Sequence, residues 1–448
     1  MTLTTASNLL SENEALSLVE SVIKQSQAEG VFVSLTSNEE ALSRYSENQI
    51  SQNISKTQFN LSVTSYYGKR SATAATTELD AEAIAQTIRN SETLARIAPE
   101  DPEWVPLLPP QIYDKRTPAF DENTATISPL KKGEIIREVC NLSKKYGVNG
   151  SGTLSTEATL LAIGNSQGLL VGNKTTQADF SFTAKIDDGS SWSNCTGWAV
   201  EQLPITSLTE KVIDRAGKTR QPREIKPGIY PVILDSAAFV DLLSWVIWNL
   251  DARSADEGRS FMSRIDATGQ PIGNRLGEAM FSPLVQVQRY PDHPLLRSNT
   301  FFADGLPNNY LEIIKNGVPQ TLAYSRYWAQ QQNQKPTGSM FPIVMTGTDQ
   351  NLDDLISQTE QGILVSRAWY VRYINPRTLE VTGMTRDGTF WIENGAIAYP
   401  IKNMRFNQSL PDMLANIDAL GKCDRFGNSL VPAVRVSAFN FSSITDSI

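Results

Sequence analysis

The chain has 448 residues and a formal net charge of -8, from 40 basic and 48 acidic side chains. Its mean hydropathy is -0.27, and no apolar run reaches the roughly 18 residues that span a bilayer, which argues against a membrane protein. The basic residues form no stripe, which argues against direct nucleic-acid binding. The chain contains a single histidine, His293. Any mechanism that needs two histidines is therefore excluded.

The spacing of the cysteines and the N-terminal sequence both predict a cytoplasmic protein. The three cysteines, Cys140, Cys195 and Cys423, stand far apart and form no Cys-x-x-Cys pair. This spacing predicts a reduced, cytoplasmic protein without disulfides. Residues Met1 to Leu10 lack the basic and apolar regions of a signal peptide, which agrees with that interpretation.

The first 115 residues predict an N-terminal α/β domain. A capping box, Ser11-x-x-Glu14, opens a helix that Gly30 ends, and strands follow at 31–35, 59–63 and 71–77. Asp80 caps another helix. The segment from Pro99 to Pro118 holds six prolines, which predicts a semi-rigid connector and a domain boundary.

Residues 116–225 predict a middle α+β domain. Ser128-Pro129 starts a helix with Cys140 on its apolar face, and strand patterns follow at 159–163, 169–171 and 176–186. Between them, Gly164 to Gly168 formally matches the Gly-x-Ser-x-Gly nucleophile elbow. Apolar runs flank it on both sides, however, which favours a hairpin turn over a strand-to-helix elbow.

The strongest pattern in the chain is a strand followed by a helix within residues 229–261. Tyr230 to Leu234 is a short apolar run, and Asp235 or Ser236 can cap the helix after it. A helical stripe with one buried face then continues through Phe239, Leu242, Leu243, Val246, Ile247 and Leu250. We expect this helix to organise a β-rich C-terminal domain over residues 226–448.

Later segments are mostly β in pattern. Phe390 to Tyr399 carries a hairpin signal because Asn394-Gly395 fits a type I′ turn. A helix is predicted from Pro411 to Leu420, with Cys423 in the loop after it. The whole chain therefore predicts an α+β class with three domains.

Few side chains suggest chemistry by themselves. His293 sits between prolines and is typical of a surface turn, and the acidic residues Asp251, Asp256 and Glu257 lack the spacing of a calcium loop. Arg386-Asp387-Gly388 is typical of a turn, and a buried Arg–Asp pair near a groove stays open. The tryptophans Trp245 and Trp248 fit either core or groove positions.

Several stretches in the expected order resemble one family. They are Ser43 to Asn53, Ala95 to Pro102, Gly362 to Val365, Thr382 to Phe390, Ile392 to Gly395 and Pro400 to Asn403. Together they look like the TldD/PmbA family, also called the TldD/TldE or modulator-of-gyrase proteins. The resemblance covers nearly the whole chain.

This resemblance implies that the family has two types of chain, one catalytic and one without the catalytic motif. TldD-type chains are zinc metallopeptidases with His-Glu-x-x-x-His on a helix and a C-terminal cysteine ligand, whereas PmbA/TldE-type chains lack the motif. Here the motif positions match Ser244, Trp245 and Asn249, and Cys423 matches the cysteine. None of the first three is a usual zinc ligand or general base. The resemblance thus predicts a pseudo-enzyme without a cofactor of its own, with zinc only in a catalytic partner.

The expected function is a non-catalytic subunit of a TldD-type peptidase complex. The expected partners are a TldD-type chain in a hetero-oligomer, or a second copy in a homodimer, and an extended peptide as substrate. The predicted peptide groove contains Ser244, Trp245, Asn249, Arg386 and Asp387. Two alternatives stay open: a peptidase active through an unidentified site, and a stand-alone peptide-binding protein.

Overall fold

A computed structural model describes residues 9–445 of the chain. Most of the Met1 to Leu10 stretch considered above lies outside these residues. No helix within 9–445 is both long and apolar enough to cross a bilayer. Two large sheets with helices packed on them make up an α+β fold, as predicted.

The N-terminal half is built on a six-stranded antiparallel sheet in the order β3-β2-β1-β4-β5-β6. Its strands are β1 (Gly30–Ser46), β2 (Gln49–Tyr67), β3 (Arg70–Thr76), β4 (Asn149–Asn165), β5 (Leu170–Ile186) and β6 (Gly189–Gly197). Its helices are α1 (Glu12–Gln25), α2 (Ala81–Ile97), α3 (Glu122–Ala125), α4 (Pro129–Lys145) and α5 (Ile205–Lys218), with a 3-10 turn at Val200–Gln202.

Local sequence explains where these helices begin. Ser11 and Glu14 form both bonds of a capping box at α1, Asp80 accepts from two amides at α2, and Ser128 caps α4 ahead of Pro129. The three predicted helix starts are therefore confirmed.

The sheet joins stretches that are distant in sequence. β1 pairs with β4 from Phe32–Asn165 to Tyr45–Gly152, so residues before and after the proline-rich connector share one sheet. The connector itself has no regular structure from 98 to 120. The three-domain division stays a prediction, and its first boundary crosses a continuous sheet.

The Gly164 to Gly168 segment is a hairpin turn. β4 ends at Asn165 and β5 begins at Leu170, in antiparallel register with Gly164 opposite Leu170. The turn interpretation is confirmed, and no nucleophile elbow exists here. The three predicted strands of this stretch are in fact two strands of 17 residues each. The prediction was too short because the missed part of β4 has small or polar residues, such as Gly150 and Thr156, at its buried positions, and these give no apolar alternation.

The C-terminal half, residues 228–444, is built on a larger mixed sheet. Its strands are β7 (Gly228–Leu234), β8 (Ser263–Ile265), β9 (Pro271–Asn274), β10 (Val287–Arg289), β11 (Leu311–Lys315), β12 (Val318–Pro319), β13 (Ile343–Met345), β14 (Gln361–Val365), β15 (Ala368–Asn375), β16 (Glu380–Thr385), β17 (Thr389–Glu393), β18 (Ala396–Pro400), β19 (Met404–Ser409), β20 (Ile417–Phe426) and β21 (Ser429–Ile444). Its helices are α6 (Ser236–Trp248), α7 (Ala252–Asp256), α8 (Arg326–Gln331), α9 (Leu352–Ser357) and α10 (Leu410–Ala415). β8 and β9 form a small separate hairpin.

Strand β7 and helix α6 occupy the centre of this half. β7 lies between β21, which runs antiparallel to it, and β14, which runs parallel. All six residues of the predicted stripe are at most 1% exposed: Phe239, Leu242, Leu243, Val246, Ile247 and Leu250. Ala237, Ala238 and Val240 are buried as well, so α6 is enclosed over more of its surface than one stripe requires. The central strand and helix are confirmed.

Two local predictions about the C-terminal half have opposite outcomes. The hairpin β17–β18 turns at Asn394 and Gly395, both with positive φ, as a type I′ turn requires. The helix predicted to reach Leu420 is wrong, because α10 ends at Ala415 and β20 begins at Ile417. Cys423 therefore lies on a strand and not in a loop. Pairing of β20 with β21 outweighs the helical pattern of this segment.

Candidate functional site

Helix α6 is fixed at its N-terminal end by a buried ion pair. Asp235 caps the helix by accepting from the Ser236 amide, and its other oxygen accepts from Arg215 of α5 at 2.9 Å. Burial alone would raise the pKa of Asp235, but the Arg215 guanidinium and the amide bond outweigh it and hold that pKa below its usual range. The ion pair joins the two halves of the molecule at this point.

The C-terminal end of α6 carries the three motif positions and is open to solvent on one side. Ser244, Trp245 and Asn249 are each half-buried. Trp245 packs edge-on against Tyr373 of β15, with ring centroids 4.6 Å apart, and contacts Trp248 at 6.1 Å. The motif positions thus face a surface made by α6 and β15.

Asn249 is the C-cap of α6 and is fully engaged there. Its side-chain amide donates to the Trp245 carbonyl at 2.7 Å and to the Tyr373 hydroxyl at 2.9 Å. The same hydroxyl donates back to Asn249 Oδ1 at 3.1 Å. The oxygen that would have to bind a metal is therefore already an acceptor in a local hydrogen-bonded pair.

Cys423 lies away from the motif positions. Its thiol donates to the Met345 carbonyl at 3.3 Å, and burial, aided by the Asp424 charge, raises its pKa to about 11. The next residue, Asp424, accepts from Ser236 at the first turn of α6. Ser244 is eight residues further along the helix, a rise of about 12 Å. The structure places the cysteine at one end of α6 and the other motif positions at the opposite end.

The residues present do not fit the zinc that the family resemblance implies. Catalytic zinc takes about three ligands from His, Cys and carboxylate side chains and leaves one position for water. Across residues 9–445, no group of three or more such side chains is placed to hold a metal. A protonated, hydrogen-bonded thiol is also a poor ligand as it stands. No catalytic step through zinc can be derived for this chain.

Half-buried and exposed aromatic side chains lie along α6 and β15, and three of them, Trp245, Trp248 and Tyr373, meet at the C-terminal end of α6. We call this surface the aromatic face: Trp245, Trp248, Trp369, Tyr370 and Tyr373. Trp248 is 62% exposed and Tyr370 is 58% exposed, high values for such large rings. Among the described strands, β15 pairs with β16 alone, so its other edge is free. Exposed rings beside a free strand edge are typical of a binding surface.

The predicted groove residues Arg386 and Asp387 belong to a tight turn between β16 and β17. Asp387 has φ of 57° and is buried, and its carboxylate accepts from Arg367 at 2.8 Å. Arg386 lies 5.1 Å from the Trp369 ring. The buried Arg–Asp pair left open by the sequence does exist: Asp387 pairs with Arg367 at 2.8 Å and, at a longer 3.8 Å, with Arg386 itself.

Arg367 also connects the two halves of the molecule. Its guanidinium lies 3.7 Å from the ring centre of Trp192, on β6, and 4.4 Å from that of Trp369, on β15. Sequence reasoning missed this residue because two of its partners, Trp192 and Asp387, come near it only in the folded chain. Its position links the Asp387 turn with the start of the aromatic face.

Asp241 is a further residue that sequence reasoning missed. It is the one charged residue within α6, four positions before Trp245, which was a readable signal in an otherwise apolar helix. Its side chain keeps solvent access, yet crowding by protein atoms raises its pKa to about 6, against the lowering effect of Arg367.

A cavity of about 350 Å³ lies at the opposite end of α6, between β6, α5 and β20. Asp235, Ala237, Lys211 and Asp424 are among its lining residues. No motif position lines it. The two ends of the helix therefore offer separate surfaces.

Comparisons with known proteins agree with this fold. Residues 227–443 match the model of the PmbA/TldA metallopeptidase C-terminal domain. The chain is 23% identical to the metalloprotease PmbA of Escherichia coli O157:H7, over 87% of this chain and 86% of that protein. It is 22% identical to a PmbA homologue of Haemophilus influenzae, over 80% of each.

Solved structures show the same architecture. A putative modulator of DNA gyrase from Bacteroides thetaiotaomicron superposes with a TM-score of 0.85 at 20% identity, covering 97% of this chain and all of that one. TldE from Thermococcus kodakarensis superposes with a TM-score of 0.83 at 16% identity and the same coverage. The C-terminal domain match and the relatives that align over most of the chain support membership of the PmbA/TldD family, and the solved structures show that the fold is shared.

Proposed function

We propose that this chain is a non-catalytic, peptide-binding subunit of a TldD-type zinc metallopeptidase complex. The observation that carries the proposal is the state of the motif positions. Ser244 and Trp245 offer no zinc ligand and no general base, and Asn249 is committed to Tyr373 and to the helix end. The chain keeps strand β7 and helix α6 but lacks the zinc ligands on that helix. It can therefore retain a binding surface without zinc-dependent hydrolysis.

The aromatic face supports a role in peptide binding. An extended peptide can add to the free edge of β15 through main-chain hydrogen bonds that need no particular side chains. Trp248 and Tyr373 then provide rigid, half-exposed rings for alternate side chains of that peptide. Arg367 and Asp241 stand at one end of the same surface and would favour polar termini or side chains there.

The partner follows from the family. One of the structural neighbours is named TldE, and two curated relatives are named as metalloproteases. A chain without ligands in a family of metalloproteases is best explained as one half of an assembly whose other half carries His-Glu-x-x-x-His. An interface of this kind would bury on the order of 1,600 Å² or more.

Co-expression with the nearest relative that carries the motif tests the proposal. We expect the two chains to co-elute in size exclusion, peptide cleavage to require the complex, and a chelator to abolish it. Elemental analysis of this chain alone should find far less than one zinc per chain. Two separate peaks at micromolar concentration, with the relative fully active by itself, would refute the proposal.

A matched pair of variants tests the peptide surface. Trp248→Ala should weaken peptide binding by the complex, because it removes an exposed ring from the aromatic face. Tyr146→Ala removes a ring that is 49% exposed at the end of α4 and should leave binding unchanged. Equal effects of the two variants would count against the aromatic face as the binding surface.

The relatives' names favour one other function, a peptidase active in its own right. A cleavage assay on the purified chain, with and without chelator, separates the two. Cleavage by this chain alone, lost in Ser244→Ala without loss of stability, would establish the alternative. A chain that binds peptides but never co-purifies with a catalytic relative would instead be a stand-alone binding protein.

A further inference from the structure

The cavity at the N-terminal end of α6 lies between the two halves of the molecule. Its walls come from β6 and α5 of the N-terminal half and from β20 and the start of α6 of the C-terminal half. Its volume of about 350 Å³ corresponds to about a dozen waters. That is room for a small organic molecule, and ligand pockets commonly begin at this size. We call it the α5–β20 cavity.

One face of helix α5 brings apolar and cationic side chains to this cavity. Four lining residues follow the i, i+3, i+4, i+7 spacing of a single helical face: Leu208, Lys211, Val212 and Arg215. A face that only packs against a core is apolar along its whole length. Two cations beside two apolar side chains therefore favour contact with a molecule that is both charged and partly apolar.

The protein neutralises only part of the charge in the cavity. Arg215 is neutralised by Asp235, in the buried ion pair at 2.9 Å. Lys211 is exposed, and within residues 9–445 it forms no ion pair. Its ammonium is therefore available to an anion that enters the cavity.

Arg425 is the second cation that lacks a paired carboxylate. Its Nε donates to the Gly427 carbonyl at 3.2 Å, and its Nη1 donates to the Leu295 carbonyl. Burial lowers the pKa of Arg425, against the raising effect of Asp179. A ligand carboxylate beside this guanidinium would favour its charged form and oppose the effect of burial.

Asp424 and Asn194 provide the opposite polarity. Asp424 keeps access to solvent, and its Oδ2 accepts from the Ser236 hydroxyl at 3.3 Å. Crowding by protein atoms, followed by the charge of Asp235, raises the pKa of Asp424, so a cation beside it would be stabilising. Asn194 Oδ1 is buried and has no hydrogen-bond partner among the described residues, which leaves an acceptor for a donor on the ligand.

We propose that the α5–β20 cavity binds a free α-amino acid with an apolar side chain. The carboxylate lies beside Lys211 and Arg425, and the ammonium lies beside Asp424. The apolar side chain packs on a wall formed by Leu208, Val212, Leu295 and Phe426. Every charged part of the ligand thus meets a group of opposite charge, and its apolar part meets apolar side chains.

Other small anions fit this arrangement less well. A phosphate dianion would lie close to Asp235 and Asp424, whose charges repel it. A simple carboxylic acid would leave Asp424 and Asn194 without a donor. An α-amino acid carries both charges on one carbon, and the cavity holds both kinds of partner within one enclosure.

This site is separate from the aromatic face. Neither the motif positions nor the residues of the aromatic face line the α5–β20 cavity. The proposal therefore does not rest on the proposed function. Binding to the purified chain tests it without a catalytic relative and without a cleavage assay, so failure of one proposal is visible without the other.

Thermal unfolding and isothermal titration of the full chain with L-phenylalanine and L-leucine test the site. Binding to the native state should raise the melting temperature as the ligand concentration rises. We expect a Kd on the order of 0.1–1 mM for a ligand of about a dozen non-hydrogen atoms. N-acetyl-L-phenylalanine lacks the ammonium, L-phenylalanine amide lacks the carboxylate, and glycine lacks the apolar side chain. Each should bind about tenfold more weakly than L-phenylalanine, or less.

Variants of α5 connect the binding to this cavity. Lys211→Met should weaken binding of L-phenylalanine by about tenfold, because it removes a partner of the carboxylate. Lys218→Met is the matched control on the same helix, where the lysine pairs with Asp214 at 2.7 Å outside the cavity, and should bind as wild type does. Leu208→Trp should abolish binding by filling the cavity. Lys211 is exposed and Leu208 is half-buried, so both variants should fold, which circular dichroism checks.

The contrary outcomes overturn the proposal. Absence of binding by both amino acids would mean that the charges of the cavity serve only one another. Equal binding of N-acetyl-L-phenylalanine would assign the cavity to the carboxyl end of a peptide, and tighter binding of inorganic phosphate would assign it to a simple anion. Binding that survives both Lys211→Met and Leu208→Trp would place the amino acid elsewhere on the chain.

Discussion

The two ends of helix α6 differ in almost every physical respect. At the N-terminal end, Asp235 and Arg215 form a buried ion pair whose side chains are 10% and 12% exposed. At the C-terminal end, Trp245 and Trp248 stand among rings that are partly or mostly exposed. The first end fixes the helix between the two halves of the molecule, and the second presents it to the outside.

Under the proposed function, this difference explains how the fold can lack a set of zinc ligands among its described residues and remain intact. The buried end cannot change without leaving a charge unpaired, which is costly. At the exposed end, the Asn249 side chain donates to the Trp245 carbonyl and to Tyr373, so the end of the helix is hydrogen-bonded without a metal. The N-terminal end of α6 is therefore constrained by stability, whereas residues at its C-terminal end can vary with function.

The largest expected effect comes from breaking the buried end. Asp235→Ala leaves Arg215 buried without its partner and removes the cap of α6, so the free energy of unfolding should fall by about 3–5 kcal/mol. Guanidinium denaturation measures it. Asp214→Ala is the control, in an exposed pair with Lys218, and should cost less than about 0.5 kcal/mol. Similar costs for both variants would mean that the buried pair has no special role.

The next largest effect on the free energy of unfolding is expected at Trp245, and Trp248 at the same exposed end provides the comparison. A fully buried tryptophan costs about 3–5 kcal/mol when cut to alanine. Trp245 is half-buried against the core and Tyr373, so Trp245→Ala should cost about 2 kcal/mol. Trp248→Ala should cost less than about 1 kcal/mol, since the ring is mostly exposed. A greater loss for Trp248 than for Trp245, measured by the same denaturation, would reverse the assignment of their roles.

A third test uses pH. The pKa of Asp241 is raised to about 6 by its crowded surroundings, so the folded state prefers the protonated form. The folded protein should therefore lose stability as pH rises from about 4 to 6 on account of this group, and no further above that range. Asp241→Asn cannot ionise, so its stability relative to wild type should increase through this window. A difference independent of pH, in thermal unfolding at several pH values, would contradict the shift.

The smallest effect is expected at Ser244. Ser244→Ala should change the free energy of unfolding by less than about 0.5 kcal/mol and leave cleavage by the complex unchanged. Parallel denaturation and peptide-cleavage assays check both. Loss of cleavage with unchanged stability would show that Ser244 takes part in catalysis and would overturn the pseudo-enzyme interpretation.

Much of the fold was predictable from local pattern. The six apolar positions of α6 and the Asn394-Gly395 turn follow from helical spacing and from the backbone that each turn type requires. The exposed half of β2 was not predictable in the same way. Its residues from Gln49 to Gln58 show no apolar alternation, because neither face is buried, and pairing with β1 alone keeps them extended.

The candidate site was predictable only in part. Ser244, Trp245 and Asn249 were placed by resemblance, and the structure brings Trp245 and Asn249 together through Tyr373, a residue more than 120 positions away. The Arg367–Asp387 pair and the distance of Cys423 from the other motif positions depend on how strands assemble. No spacing in the sequence encodes those contacts.

The position of β21 has a consequence for synthesis and quality control. This strand, Ser429–Ile444, lies between β13 and β7 inside the large sheet and also pairs with β19 and β20. Strands made some 200 residues earlier must therefore wait, unpaired at this site, until residue 444 has been made. At about 5–20 residues per second, that wait lasts roughly 10–40 s. A premature stop before Ser429 would leave three part-sheets with open edges and β20 without its partner strand, a product suited to aggregation and to proteolytic removal.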